Sequence, residues 1–242
     1  MTDILSSGQE RLKVIAENIA TVKAKIATAA ICSGRQARDI TLVAVTKTIS
    51  ALEINTALAC GIDIFAENRV QELIEKLPEI DMLGKNAHII GHLQSNKVKQ
   101  IIDKVDLIQS LDSLNLAAEI DRQAKRVNRI MDVLIEVNIG GEQTKTGAQL
   151  EKVEEFIDSV VVHKNLHILG LMTIPPFCED KEDMRQYFAQ MSKLFIDIKA
   201  KKTDNVSMQV LSMGMSSDFD IAIEEGSNMV RVGTAIFGKR QI

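Results

Sequence analysis

The residues able to do chemistry gather where apolar runs end. The clearest case is 40-ITLVAVTKTIS-50, which reads as a buried strand and delivers Lys47 at its tip. Lysine is among the side chains least often buried without a partner. Lys47 must therefore snorkel to water, pair with a carboxylate, or act through its amine, which becomes nucleophilic when burial or a nearby cation lowers its pKa. Further along, 212-SMGMSSD-218 sets serines and a glycine just before a helical pattern, 218-DFDIAIEEG-226. Free backbone N–H groups and the helix dipole make such a start an anion site, and ordinary N-capping by Ser216 or Ser217 is the alternative. A second candidate, 232-VGTAIFG-238, adds Gly233 and the hydroxyl of Thr234 directly after Arg231.

A lysine and an anion cradle in one pocket suggest a phosphorylated aldehyde held as an imine, and pyridoxal phosphate is a ligand of that description. Its ring nitrogen needs a partner. A carboxylate there would keep the ring protonated, as electron-sink chemistry requires; Arg231, permanently charged, would keep the nitrogen unprotonated. Such a cofactor is a poor electron sink.

One architecture would bring these positions together. After an opening amphipathic helix within residues 1–32, eight strand-like runs follow: 40–46, 62–68, 87–94, 105–112, 130–139, 166–174, 207–213 and 228–235. Between them, segments such as ALEINTALACG and SLNLAAEIDRQAKR repeat apolar residues at three- and four-residue spacing. Eight strand-then-helix units suit a parallel sheet closed on itself, a (β/α)8 TIM barrel. An open doubly wound sheet would carry a glycine-rich turn after its first strand. That turn here reads TKTISALE, without glycine. No linker divides the chain, so one domain over residues 1–242 is expected.

A barrel of this kind builds its active site at the C-terminal ends of its strands. The polar residues collect there: Lys47 after the first, Glu67, Asn68 and Arg69 after the second, His92 to Lys97 after the third, Ser110 and Asp112 on the fourth. The fifth is followed by 140-GGEQTKTG-147, the seventh by the serine loop, and the eighth carries Arg231.

Composition excludes several classes. Net charge is −4 with no Lys/Arg-rich block, which argues against a nucleic-acid surface. The first thirty residues lack the apolar core of a signal peptide, and no later run approaches eighteen apolar residues. Cys32, Cys60 and Cys178 are scattered, as reduced thiols of a cytoplasmic protein would be. The pairs His88/His92 and His163/His167 have neither the helical setting nor the HExxH glutamate of a zinc site, so no metal is assigned.

AVTK (44–47), FAENRVQE (65–72), HIIGHLQSNK (88–97), GLMTIPP (170–176) and LSMGMSSDFDIAIEEGSNMVRVGTAIFG (211–238) together resemble the YggS/PROSC family, the pyridoxal phosphate homeostasis proteins, which are similar in fold to the alanine racemase N-terminal domain. The resemblance runs from about residue 40 onward. It implies that pyridoxal 5'-phosphate is carried as an aldimine on Lys47, that Ser212, Met213, Gly214, Gly233 and Thr234 surround the phosphate, that Arg231 meets the ring nitrogen, and that Asn68 lies beside the ring. Ala66 stands where the family usually has glycine, and Ser50 where proline often follows the lysine.

Two functions compete: a non-catalytic carrier that stores and hands over the cofactor, and an amino-acid racemase. Racemisation needs an acid/base group on each face of the imine, and racemases similar in fold take a tyrosine from a further domain of a partner subunit. The only tyrosine here is Tyr187, in the helical stretch MRQYFAQM, and the sequence ends seven residues after Ala235. The carrier reading is preferred, as a monomer whose recipients are pyridoxal phosphate-dependent apoenzymes. Lys145, in the glycine-bounded loop, is either a solvated lysine, or one paired with Glu142, or an acceptor that relays the ligand outward.

Overall fold

The computed structural model describes residues 2–142 and 146–239, with side chains from residue 8 onward. Lys145 lies outside the described residues. Eight parallel strands close into a barrel: β1 (Thr41–Val45), β2 (Ile64–Glu67), β3 (Asn86–Ile89), β4 (Leu107–Leu111), β5 (Met131–Asn138), β6 (Leu166–Thr173), β7 (Val206–Ser212) and β8 (Met229–Val232). Each pairs with its sequence neighbour, and β8 returns to β1 through pairs such as Val43 with Arg231. The expected (β/α)8 barrel is the architecture observed. Strands buried on both faces must be apolar almost throughout. That is why runs such as MDVLIEVN and LIQSL carry no clean alternation.

The helices are α1 (Thr2–Cys32), α2 (Ala51–Ala59), α3 (Val70–Lys76), α4 (Leu114–Arg126), α5 (Val153–Val160), α6 (Lys181–Ala200), α7 (Phe219–Glu224) and α8 (Thr234–Phe237). A large core lies between helices and sheet; a smaller one, built from Val43, Ala66, Ile90, Leu107, Leu134, Met172 and Met229, fills the barrel interior. The methyl of Ala66 is part of that filling. Helix α1 buries Ile15, Ile19, Val22 and Ile26, spaced three and four apart on one face. Each such side chain contributes roughly 1.5–3 kcal/mol. Asn18 donates to the Ile236 carbonyl at 2.9 Å and Lys23 to that of Gly61 at 2.7 Å, tying α1 to α8 and to the end of α2.

Two local details differ from the sequence expectation. β3 stops at Ile89 instead of running to residue 94, and the crossover to β4 is a 3-10 segment, Ser95–Gln100. The chain turns tightly at Gly91, where an added Cβ would stand 2.5 Å from the carbonyl oxygen of Asn68. A two-residue strand, Ala148–Gln149, also pairs with the end of β5. No helix among the described residues is long and apolar enough to cross a membrane.

Candidate functional site

Lys47 follows β1 in a turn that is clamped on both sides. Before it, the Thr46 hydroxyl donates to Glu67 Oε1 at 2.7 Å, and the Thr46 carbonyl accepts from Lys76 Nζ at 2.8 Å. After it, Thr48, at a φ of +65° that non-glycine residues rarely take, donates its N–H to Glu72. Lys76 closes the cluster, 2.8 Å from Glu67 and 2.6 Å from Glu72. Burial pushes the Glu67 carboxyl up, against the pull of its bonds to Lys76 and Thr46. Ser50 then caps α2: its hydroxyl accepts from the Glu53 N–H, and the Glu53 carboxylate accepts from the Ser50 N–H at 3.1 Å. This capping box starts the helix without a proline.

Half-buried Lys47 opens into a cleft of about 250 Å³, lined also by Val45, Met215, Ser216, Ser217, Arg231, Gly233 and Thr234. Larger grooves of about 650 and 550 Å³ lie elsewhere, one along α6 and the end of α7, the other beside the starts of β1 and β2. Those grooves also hold a lysine, an arginine and hydroxyls, but Arg35 in the first donates to the carbonyls of Ile223 and Ser227 and Lys23 in the second to those of Cys60 and Gly61, and neither groove opens at the C-terminal ends of the strands, where a barrel builds its site.

The floor is Arg231, 2% exposed. Its Nη1 donates to Ser212 Oγ at 2.7 Å and its Nη2 to the Thr173 carbonyl at 2.8 Å. Burial lowers its pKa to about 10, so it remains a cation at neutral pH. Ser216 forms the opposite wall, its Oγ accepting the N–H groups of Gly233 at 3.1 Å and Ala235 at 3.2 Å. A hydroxyl that accepts twice still has its own proton to give. The loop holds shape because Asp218 accepts from the Met215 N–H at 2.6 Å and from the Ser217 hydroxyl at 3.0 Å.

Of the eight residues implicated by sequence, Lys47, Arg231, Gly233 and Thr234 line the cleft. Ser212 and Met213 are fully buried behind it. Gly214, at φ +95°, makes the turn against α7 and accepts the Arg231 N–H with its carbonyl at 3.0 Å. Asn68 follows β2 half-buried, its Oδ1 buried without a hydrogen-bond partner among the described residues. Such an oxygen is costly unless something supplies a donor. On the far side of the mouth, His92 pairs with Asp112 at 2.8 Å, and Glu136, raised by burial and by Asp112, accepts from Thr146 at 2.8 Å. Tyr187 packs half-buried from α6 against the core.

Sequence reasoning missed the clamp around Lys47. Glu72 and Lys76 are spaced i, i+4 on one helix face, a signal that could have been read; the contact from Lys76 to Thr46 spans thirty positions and carries none.

The family described as alanine racemase, N-terminal domain, matches residues 11–241. A pyridoxal phosphate homeostasis protein of Aquifex aeolicus (strain VF5) is 43% identical over 225 residues, 93% of this chain and 98% of that one. A crystal structure of an unknown protein from Bifidobacterium adolescentis superposes with a TM-score of 0.89 at 34% identity, over 94% of this chain and 96% of that one. PipY of Synechococcus elongatus PCC7942, with PLP bound, superposes with a TM-score of 0.81 at 30% identity, over 93% of this chain and 100% of that one.

Proposed function

Because the chain belongs to the family of pyridoxal phosphate homeostasis proteins, built on the alanine racemase N-terminal domain, we propose that it binds pyridoxal 5'-phosphate in the Lys47 cleft and stores it for delivery, maintaining the cell's vitamin B6 supply. The observation that carries this reading is the convergence of Lys47, Ser216, Gly233 and Arg231 on one cleft; Asn68, whose Oδ1 has no hydrogen-bond partner among the described residues, follows β2, the strand paired with the one that delivers Lys47. The group, when bound, brings an aldehyde that condenses with an amine and a phosphate that needs hydrogen-bond donors.

The chain's residues fit both needs. Lys47 is the point of covalent attachment. The Ser216 proton and the Thr234 hydroxyl reach the phosphate, around which the Gly233 turn closes, while Ser217 gives its proton to Asp218 and so holds the loop. Asn68 Oδ1 accepts from the ring hydroxyl, and Arg231 faces the ring nitrogen. Ser212, Met213 and Gly214 act from behind, by setting the arginine and the serine loop.

A fixed cation against the ring nitrogen denies that nitrogen a proton, which disfavours carbanion chemistry. The protein is therefore a carrier and not a racemase, acting in the cytoplasm as a monomer, with pyridoxal phosphate-dependent apoenzymes as recipients. Tyr187, packed in α6, does not serve as a second acid/base group at the cleft.

The test is the absorption spectrum of the purified protein loaded with pyridoxal phosphate, before and after borohydride, with the modified peptide located by mass. The label should fall on Lys47, and Lys47→Ala should lose the reducible band. A borohydride-fixed adduct persisting in Lys47→Ala would overturn the attachment; racemisation of alanine that scales with protein and vanishes in Lys47→Ala would overturn the carrier reading.

A further inference from the structure

Arg231 does not end its hydrogen-bond chain at Ser212. Ser212 Oγ donates to Gln109 Oε1 at 2.7 Å, and Gln109 Nε2 lies 3.0 Å from His88 Nδ1 and 3.3 Å from Met229 Sδ. The path crosses the barrel interior from β8 through β7 and β4 to β3, and none of its members is more than 4% exposed.

The direction of every proton along it follows from donor chemistry. Arginine can only donate, so Ser212 Oγ accepts from it and must give its single proton onward. Gln109 Oε1 receives that proton, which turns the amide nitrogen toward His88. His88 Nδ1 must therefore present a lone pair, and the ring proton sits on Nε2. Burial holds the His88 pKa down at about 3, so the ring stays neutral and keeps that lone pair across ordinary pH.

Resting on the carrier reading above, we propose that His88 and Gln109 are positioning residues for the ligand ring: through Ser212 they hold the Arg231 guanidinium in the one orientation that meets the ring nitrogen. A buried guanidinium whose hydrogen-bond partners among the described residues are all neutral has few dipoles to orient it, and the path through Ser212 supplies a string of aligned ones. Neither residue lines the cleft.

The experiment uses two ligands in the full-length chain: pyridoxal phosphate, and pyridoxine 5'-phosphate, which has the ring and phosphate but no aldehyde. Gln109→Leu and His88→Leu should each weaken pyridoxine 5'-phosphate binding by about tenfold, the usual size of one lost charge-assisted hydrogen bond, and should shift the absorption band of bound pyridoxal phosphate. His88→Asn keeps a carbonyl acceptor near the Nδ1 position and should bind within about twofold of the parent. Affinity for inorganic phosphate should be the same in all of them.

Leucine variants with parental affinity and spectrum would overturn the proposal. So would a loss in His88→Asn equal to that in His88→Leu, or a parallel loss of phosphate affinity, since either would signal a loosened barrel. If circular dichroism shows that the leucine variants do not fold, Gln109→Met decides: it keeps the length of the side chain but has no proton to give His88 Nδ1 and no amide oxygen to accept from Ser212, and parental binding in it would overturn the proposal. A parent chain that takes up neither ligand would instead overturn the carrier reading.

Discussion

Two cations, half-buried Lys76 behind the Lys47 turn and buried Arg231 under the cleft, are held in opposite ways. Lys76, with its side chain 14% exposed, touches two carboxylates and a carbonyl, and its charge is spent inside the protein on the Lys47 turn. Arg231, 2% exposed, has side-chain hydrogen bonds, among the described residues, only to the neutral Ser212 hydroxyl and Thr173 carbonyl, while Asp218 and Glu136 act on it from farther off. A buried ion pair loses much when one partner goes, because the other is left uncompensated. A buried cation without a carboxylate contact already bears part of that cost. Lys76 serves the fold, and the charge of Arg231 is kept for what enters the cleft.

Lys76→Met should do the most damage, about 3–5 kcal/mol of unfolding free energy in urea, because Glu67 stays fully buried and loses its cation. An unchanged midpoint would erase the contrast between the two cations. Gly214→Ala should follow at about 2–3 kcal/mol, since the residue sits at φ +95° and its new Cβ would stand 2.6 Å from that of Ala222. If Gly214→Ala were as stable as the parent but bound less ligand, the turn behind Arg231 would be a contact surface and not a support.

Arg231→Met should lower pyridoxal phosphate affinity by about tenfold while leaving stability within about 1 kcal/mol of the parent or above it. Stability lost as in Lys76→Met would place both cations in the same class.

The smallest effect concerns pH. Burial raises the Glu136 carboxyl, so the folded chain binds that proton more tightly than the unfolded chain. The group therefore favours folding at acid pH, and this contribution is lost as pH rises through the window from the unfolded to the folded value. Glu136→Gln should be relatively more stable than the parent at neutral pH than at about pH 4, as read from urea midpoints at each pH. The opposite slope would mean that Arg231 and His92 outweigh burial at this site.

All eight strands were legible as apolar runs, because a parallel barrel buries both faces of each strand and so writes its sheet in residue type alone. The bounds of β3 were not, because the turn at Gly91 depends on the approach of Asn68 from the neighbouring strand. Ser50 looked like a departure and proved to be a helix cap. Ser212 was legible as a strand end but not as part of the arginine's support. Side chains alternate between the two faces of a strand, and which face a terminal residue takes depends on register around the closed barrel.

Local pattern therefore determined the number of strands, the delivery of Lys47 to a strand tip, and the nearness of Arg231 to a glycine turn, because periodicity and neighbouring residues are properties of contiguous chain. The tertiary structure alone decided that Lys76 reaches back to Thr46, that Ser216 spans from one loop to the N–H groups of the next, and that Ser212 meets Gln109 across 103 positions. Those contacts exist only once the sheet has closed, because closure and register bring residues from different strands within hydrogen-bonding distance.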